Sequence, residues 1–154
     1  MTLGEIYFEL KNAGDFVRLE PIELIDYKSN NDWDRNSIKT KITVKGGAFS
    51  GHYQADIMTV DFEKFKQDLD ILYNNLKGGL IFENIEHAIQ LQIVGDGNGH
   101  FEVKITANDS PGIYGNELRF TMAFDQTEIK TLVNQLDKIT KRFPITGDSK
   151  IKNT

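Results

Sequence analysis

Cysteine is absent from the chain, which excludes a disulfide framework and any thiolate nucleophile or metal ligand. No stretch approaches the roughly 18–20 consecutive apolar residues of a membrane helix. The opening residues MTLGEIYFELK alternate in polarity and are interrupted by Glu5 and Glu9, so no signal peptide is expected to start here. Tryptophan occurs once. What is present is 154 residues with 39% hydrophobic content. That size suits one domain burying roughly 68–70% of its extended surface. The expectation is a single domain over residues 1–146, soluble and cytoplasmic, with a mobile tail over 147–154 that lacks apolar residues to dock it.

The net charge of −5 disfavours nucleic acid and anionic membranes as partners, because a phosphate partner needs a positive surface. Its distribution is uneven. Between Glu5 and Asp34 stand eight acids (Glu5, Glu9, Asp15, Glu20, Glu23, Asp26, Asp32 and Asp34) against three bases (Lys11, Arg18 and Lys28). That surplus equals the charge of the whole chain. Lys39, Lys41, Lys45 and the group Lys138, Lys141 and Arg142 balance the acids elsewhere. A run of this kind reads as a solvated face or as a surface for a basic partner.

Two strands, EIYFELK and FVRLEPIEL, flank NAGD as a hairpin, and Pro21 marks an end or an edge because it donates no ladder hydrogen bond. Residues 26–37 have no period and read as a long loop, a class of segment that often carries function. SIKTKITVK and AFSGHYQADIM flank Gly46-Gly47 as a second hairpin. The period then changes: Phe62, Phe65, Leu69, Leu72 and Leu76 recur at helical spacing over about 60–77, with Thr59 or Asp61 as cap and Gly78 as stop. AIQLQIV, HFEVKITA and NELRFTMAF alternate as strands with one buried face, joined by GDGNG and NDSPG. A final helix opens with the capping box of Asp125 and Glu128 and carries Ile129, Leu132, Val133, Leu136, Ile139 and Phe143 on one face. Lys138, Lys141 and Arg142 favour its C-terminal dipole, and Pro144 stops it. The order is four strands, helix, three or more strands, helix. The simplest layered solution is an α+β fold, a single antiparallel β-sheet with two amphipathic helices packed on one face. The two strand-then-helix halves suggest a loose duplication.

No catalytic set emerges, so a non-enzymatic protein without metal or cofactor is expected. DWDRN offers Asp32, Asp34 and Asn36 at the first, third and fifth positions of a calcium loop, but Ser37 replaces the required glycine and Thr43 the bidentate Glu. GDGNGH fails likewise at Ala107. As a dinucleotide loop it opens a strand where that motif must open a helix. His52, His87 and His100 are not paired at helical spacing, His52 and His100 fall on polar strand phases, and no GxSxG elbow exists. A hydrolase would need carboxylates that converge only in space.

Binding remains. NNDWDRNS sets Trp33 between Asp32 and Asp34, either as a hot spot whose acidic rim steers a basic partner or as an anchor folding back over the sheet edge. DWDRNSI, FSGHYQADIMTVDFEKFKQDLDILYNNLKG, GDGNGHFEVKITA and NELRFTMAFDQTEIKTLVNQLDKI together resemble the WapI family of bacterial immunity proteins over about residues 5–143. The pieces that carry the resemblance are Trp33, Asp34 and Asn36, with Phe124, Asp125, Gln126 and Thr127; Ser37 stands where a second aromatic is expected. Capping alone explains Asp125 and Thr127. The resemblance implies a small cytoplasmic protein that binds and neutralises a cognate toxin domain, often a nuclease. The partner-binding candidates are Glu23, Asp26, Asp32, Trp33, Asp34 and Asn36. The alternative is a structural or scaffold domain that self-associates through a sheet edge.

Overall fold

The computed structural model describes residues 5–147 apart from 26, 27, 29, 32–34 and 113, so the expected tail over 147–154 lies, except for Gly147, outside the described residues. Strands β1 (Phe8–Asn12), β2 (Asp15–Leu24), β3 (Ser37–Gly46) and β4 (Phe49–Met58) lead into helix α1 (Thr59–Asn75). Strands β5 (Lys77–Glu83), β6 (Ile89–Asp96), β7 (His100–Asn108) and β8 (Glu117–Asp125) then lead into helix α2 (Gln126–Arg142). Each set of four strands is an antiparallel meander in chain order, and the two sets are separate sheets.

The expectation of one sheet is therefore wrong, and the reason is coverage. Eight strands about 4.8 Å apart would span about 34 Å, while two helices about 10 Å across cover only about 20 Å. One wide sheet would leave about two-fifths of its apolar face in water. Two sheets instead share one core with both helices: Phe8, Val17, Leu19, Ile38 and Ile42 of the first meet Leu91, Ile93, Val103, Ile105 and Phe124 of the second in a single buried cluster. At its centre Phe65 of α1 lies 5.0 Å from the Phe8 ring and stacks on Phe82 of β5 at 4.6 Å.

The strand that divides the sheets, β5, was not legible as a strand. Gly78 is not the helix stop; Leu76 takes the left-handed conformation (φ 62°), its N–H donates to Leu72, and pairing with β6 begins at Lys77. Leu80 and Phe82 face inward while Gly79 and Ile81 face out. Polar seams join the halves. The Asn84 amide donates to the Asp56 carbonyl at 3.2 Å and accepts from Ala88 N–H at 2.7 Å, and the Tyr53 hydroxyl donates to the Ala88 carbonyl at 2.5 Å. On the opposite side Asn12 donates to Ala123 of β8 at 2.9 Å. Gly46 pairs with Phe49, so the two-residue turn falls at Gly47-Ala48, and a Cβ at Gly46 would come within 2.7 Å of the Phe120 ring.

Both helices pack as their spacing predicts. Phe62, Phe65, Leu69 and Leu72 of α1 are buried, as are Ile129, Leu132, Leu136 and Ile139 of α2. Lys66 bridges the helices, 3.2 Å from Glu63 and 3.5 Å from Asp137. The box at α2 forms as expected, with Asp125 N–H donating to the Glu128 carboxylate at 3.0 Å. At α1 it is Asp61 that accepts from Met58 N–H, at 3.1 Å. Burial pushes the Asp61 carboxyl up to about 6; the Met58 hydrogen bond opposes this and the negative charge of Glu83 adds to it.

Replacing Phe65 with Ala removes the ring that touches both sheets and should cost about 3–5 kcal/mol in denaturant unfolding, a large part of a typical domain's stability. For Asp61, the folded pKa lies above the unfolded value, so the native state binds the proton more tightly and loses stability as pH rises from about 4 to about 6. Thermal unfolding of Asp61→Asn should lack that fall, so the variant gains on the native protein as pH rises from about 4 to about 6, the window the two pKa values bracket.

Candidate partner-binding site

The connection from β2 to β3 is built on a bulge. Pro21 pairs with Thr40 and Glu23 with Lys39, leaving Ile22 as the extra residue. β1 pairs β2 only as far as Leu19, so Pro21 lies on a local edge where its missing N–H costs no ladder bond. Beyond the bulge the chain exposes apolar surface: Ile22 is 46% and Ile25 47% accessible. The loop is closed at its base by Ile25 N–H donating to the Ser37 carbonyl at 2.9 Å, and Arg35 N–H donates to the Asn31 carbonyl at 3.1 Å.

Asn36 ends this loop and is buried. Its amide donates to the Thr146 carbonyl at 3.0 Å, and its side-chain oxygen accepts from Thr146 N–H at 2.8 Å. Its backbone carbonyl accepts from Thr59 N–H at 2.9 Å, satisfying one of the unpaired donors at the start of α1. One asparagine thus ties the loop, the first helix and the segment after the second helix together. Asn36 is drawn inward to hold the loop, whereas Glu23 is exposed on β2, with its carboxylate 4.0 Å from Lys39. Asp26, Asp32, Trp33 and Asp34 lie outside the described residues.

Part of the acidic segment is neutralised by the fold. The Arg18 guanidinium lies 3.1 Å from Glu5, 3.0 Å from Glu9 and 2.8 Å from Glu20, and stacks 3.9 Å over the Tyr7 ring. Partial burial works against its charge, but the hydrogen bonds to Glu20 and Glu9 outweigh it and hold its pKa above the ordinary arginine value. Asp15 accepts from Gly47 N–H at 2.9 Å, and Lys41 is the cross-strand neighbour of Glu20. Charge alternates across the wet face of this sheet, acids on β1 and β2 beside lysines on β3. The register that produces this was not readable from spacing, and neither was the exposure of Ile22 and Ile25, which the Pro21 bulge creates.

Among the described residues no three His, Asp or Glu side chains converge to hold a metal ion, and no helix is long and apolar enough to cross a membrane. The histidines are exposed: His87 lies 3.3 Å from Glu83 and His100 3.2 Å from Asp96. An open groove of about 680 Å³ lies between α1 and β5.

With this geometry, the profile of the immunity protein WapI-like family matches residues 8–144, from the first strand to the end of the second helix. The chain belongs to the WapI-like immunity protein family. No curated protein matches it. Among solved structures it is similar to the plant transcriptional regulator PBF-2, at 10% identity and a TM-score of 0.48, covering 96% of this chain and 92% of that one. It is also similar to WHY1 from Arabidopsis thaliana, at 8% identity and a TM-score of 0.47, covering 94% and 88%.

For this WapI-like protein, Asn36→Ala removes the tie to Thr146 and should lower stability by about 1–2 kcal/mol. Hydrogen exchange at Thr146 N–H should accelerate in Asn36→Ala but less in Asn36→Asp, which keeps an acceptor for that donor. Equal exchange in both variants would show that the side-chain acceptor does not hold the segment.

Proposed function

We propose that this protein binds and neutralises a cognate toxin domain by occupying its surface, without chemistry of its own. Family membership over residues 8–144 carries the reading. The end of β2 and the loop that follows supply a contact patch of the right kind. Ile22 and Ile25 offer exposed apolar area beside the carboxylate of Glu23, and the next residues in sequence add Asp26, Asp32, Trp33 and Asp34. Tryptophan is among the residue types enriched at interface hot spots, and exposed aliphatic and charged side chains commonly surround them.

Arg18 and the β3 lysines offset Glu5, Glu9, Glu20 and Glu23, and the loop sequence adds Asp26, Asp32 and Asp34 against Lys28 and Arg35. Local negative charge of this kind suits a basic toxin such as a nuclease, because complementary charge raises the association rate and makes it depend on salt. The anchoring of Asn36 to Thr146 and Thr59 fixes the loop's exit, which lowers the entropy lost on binding.

Affinity capture of the tagged protein from a lysate of its native host, at low and high salt, should retain one toxin domain in stoichiometric amount, with retention weakened by salt. Titration calorimetry with that domain should then show Trp33→Ala weakening binding by about 2 kcal/mol or more with an unchanged melting temperature. Unchanged affinity with a lowered melting temperature would make Trp33 a loop anchor and move the interface elsewhere.

A further inference from the structure

Strand β5 pairs with β6 on one side only and forms the margin of the second sheet. Its free side opens into the groove lined by Lys64, Asp68 and Ile71 of α1. Three exposed apolar side chains meet there: Ile71 is 58%, Ile81 48% and Val94 52% accessible. An unpaired strand with an apolar side chain at its centre is a template for another strand, and the sequence of β5 says which one fits.

In KGGLIFE the outward residues are Lys77, Gly79, Ile81 and Glu83, and the inward ones include Leu80 and Phe82. An antiparallel pairing of β5 with itself, centred on Leu80, sets Lys77 opposite Glu83 of the second copy, and does so twice about the two-fold axis. It sets each Ile81 opposite the other copy's Gly79, a large side chain over a vacant position, and each Phe82 opposite Gly78. The strand is self-complementary in charge and in size, as an isologous contact requires.

We propose that β5 is a homodimer edge, through which two copies join their second sheets into one continuous antiparallel sheet in solution. The contact rests on one short strand with Ile71 and Val94 at its rim, so it falls at the small end of specific interfaces and its population rises with concentration. It is separate from the β2–β3 loop and does not depend on the immunity reading.

Sedimentation velocity over a concentration series should show the native protein passing from monomer to dimer. Ile81→Lys, at an exposed position, should leave far-UV circular dichroism unchanged and abolish the dimer. Lys77→Glu places like charges opposite each other at both ends and should weaken association about tenfold. The exchange Lys77→Glu with Glu83→Lys should restore it, a rescue that only a second copy in this register can give. A native protein that stays monomeric throughout, a dimer that survives Ile81→Lys, or a charge exchange without rescue would each overturn the proposal. A monomer whose Ile81→Lys variant loses affinity for a captured toxin would assign the edge to a toxin strand instead.

Discussion

Phe65 stands where the two sheets and the first helix meet, with the Phe8 ring on one side and Phe82 on the other. The rest of the architecture follows from the need behind that contact. Eight amphipathic strands and two single-striped helices hold more apolar surface than the helices alone can cover, so the sheets must cover each other. Once they do, the boundaries between them need polar closure, because buried backbone groups left unpaired are costly. Asn84, Tyr53 and Asn12 supply it with hydrogen bonds to backbone carbonyls, and among the described residues the buried polar side chains are all uncharged.

Most of the elements were readable from pattern, because strand and helix periods are local properties. Helix α2 shows its stripe, its capping box and its stop within one continuous stretch. What local pattern does not contain is which strand pairs with which. KGGLIFE has two glycines and only three apolar residues, too few alternations to register as a strand, and without it the second half has no edge of its own. The Leu76 cap is illegible for a related reason: glycine normally takes left-handed φ, and here the residue two before Gly78 takes it, compelled by the immediate start of β5. In β8 the apolar phase continues through Leu118 and Phe120, yet only Met122 and Phe124 are buried, because the strand's first half lies at the margin where Phe120 covers Gly46.

The candidate site divides the same way. Glu23 was marked by charge and is exposed on its strand. Asn36 was marked by its neighbours in DWDRN, and its amide faces Thr146, 110 residues along the chain. No sequence window spans that distance. Acidic composition likewise overstated the acidic surface, since the register of β1, β2 and β3 brings Arg18 and the lysines onto the same face as the carboxylates.

Family membership and fold fit together through a division of labour between rigid and variable parts. An inhibitor that acts by covering its target needs a surface held in shape, because every side chain ordered on binding subtracts from affinity. The two-sheet core supplies that stiffness, and the β2–β3 connection hangs from it between two fixed points, the Ile25–Ser37 bond and the Asn36 junction. Those two bonds fix where the connection leaves the first sheet and where it rejoins it, so its ends are held by the core itself.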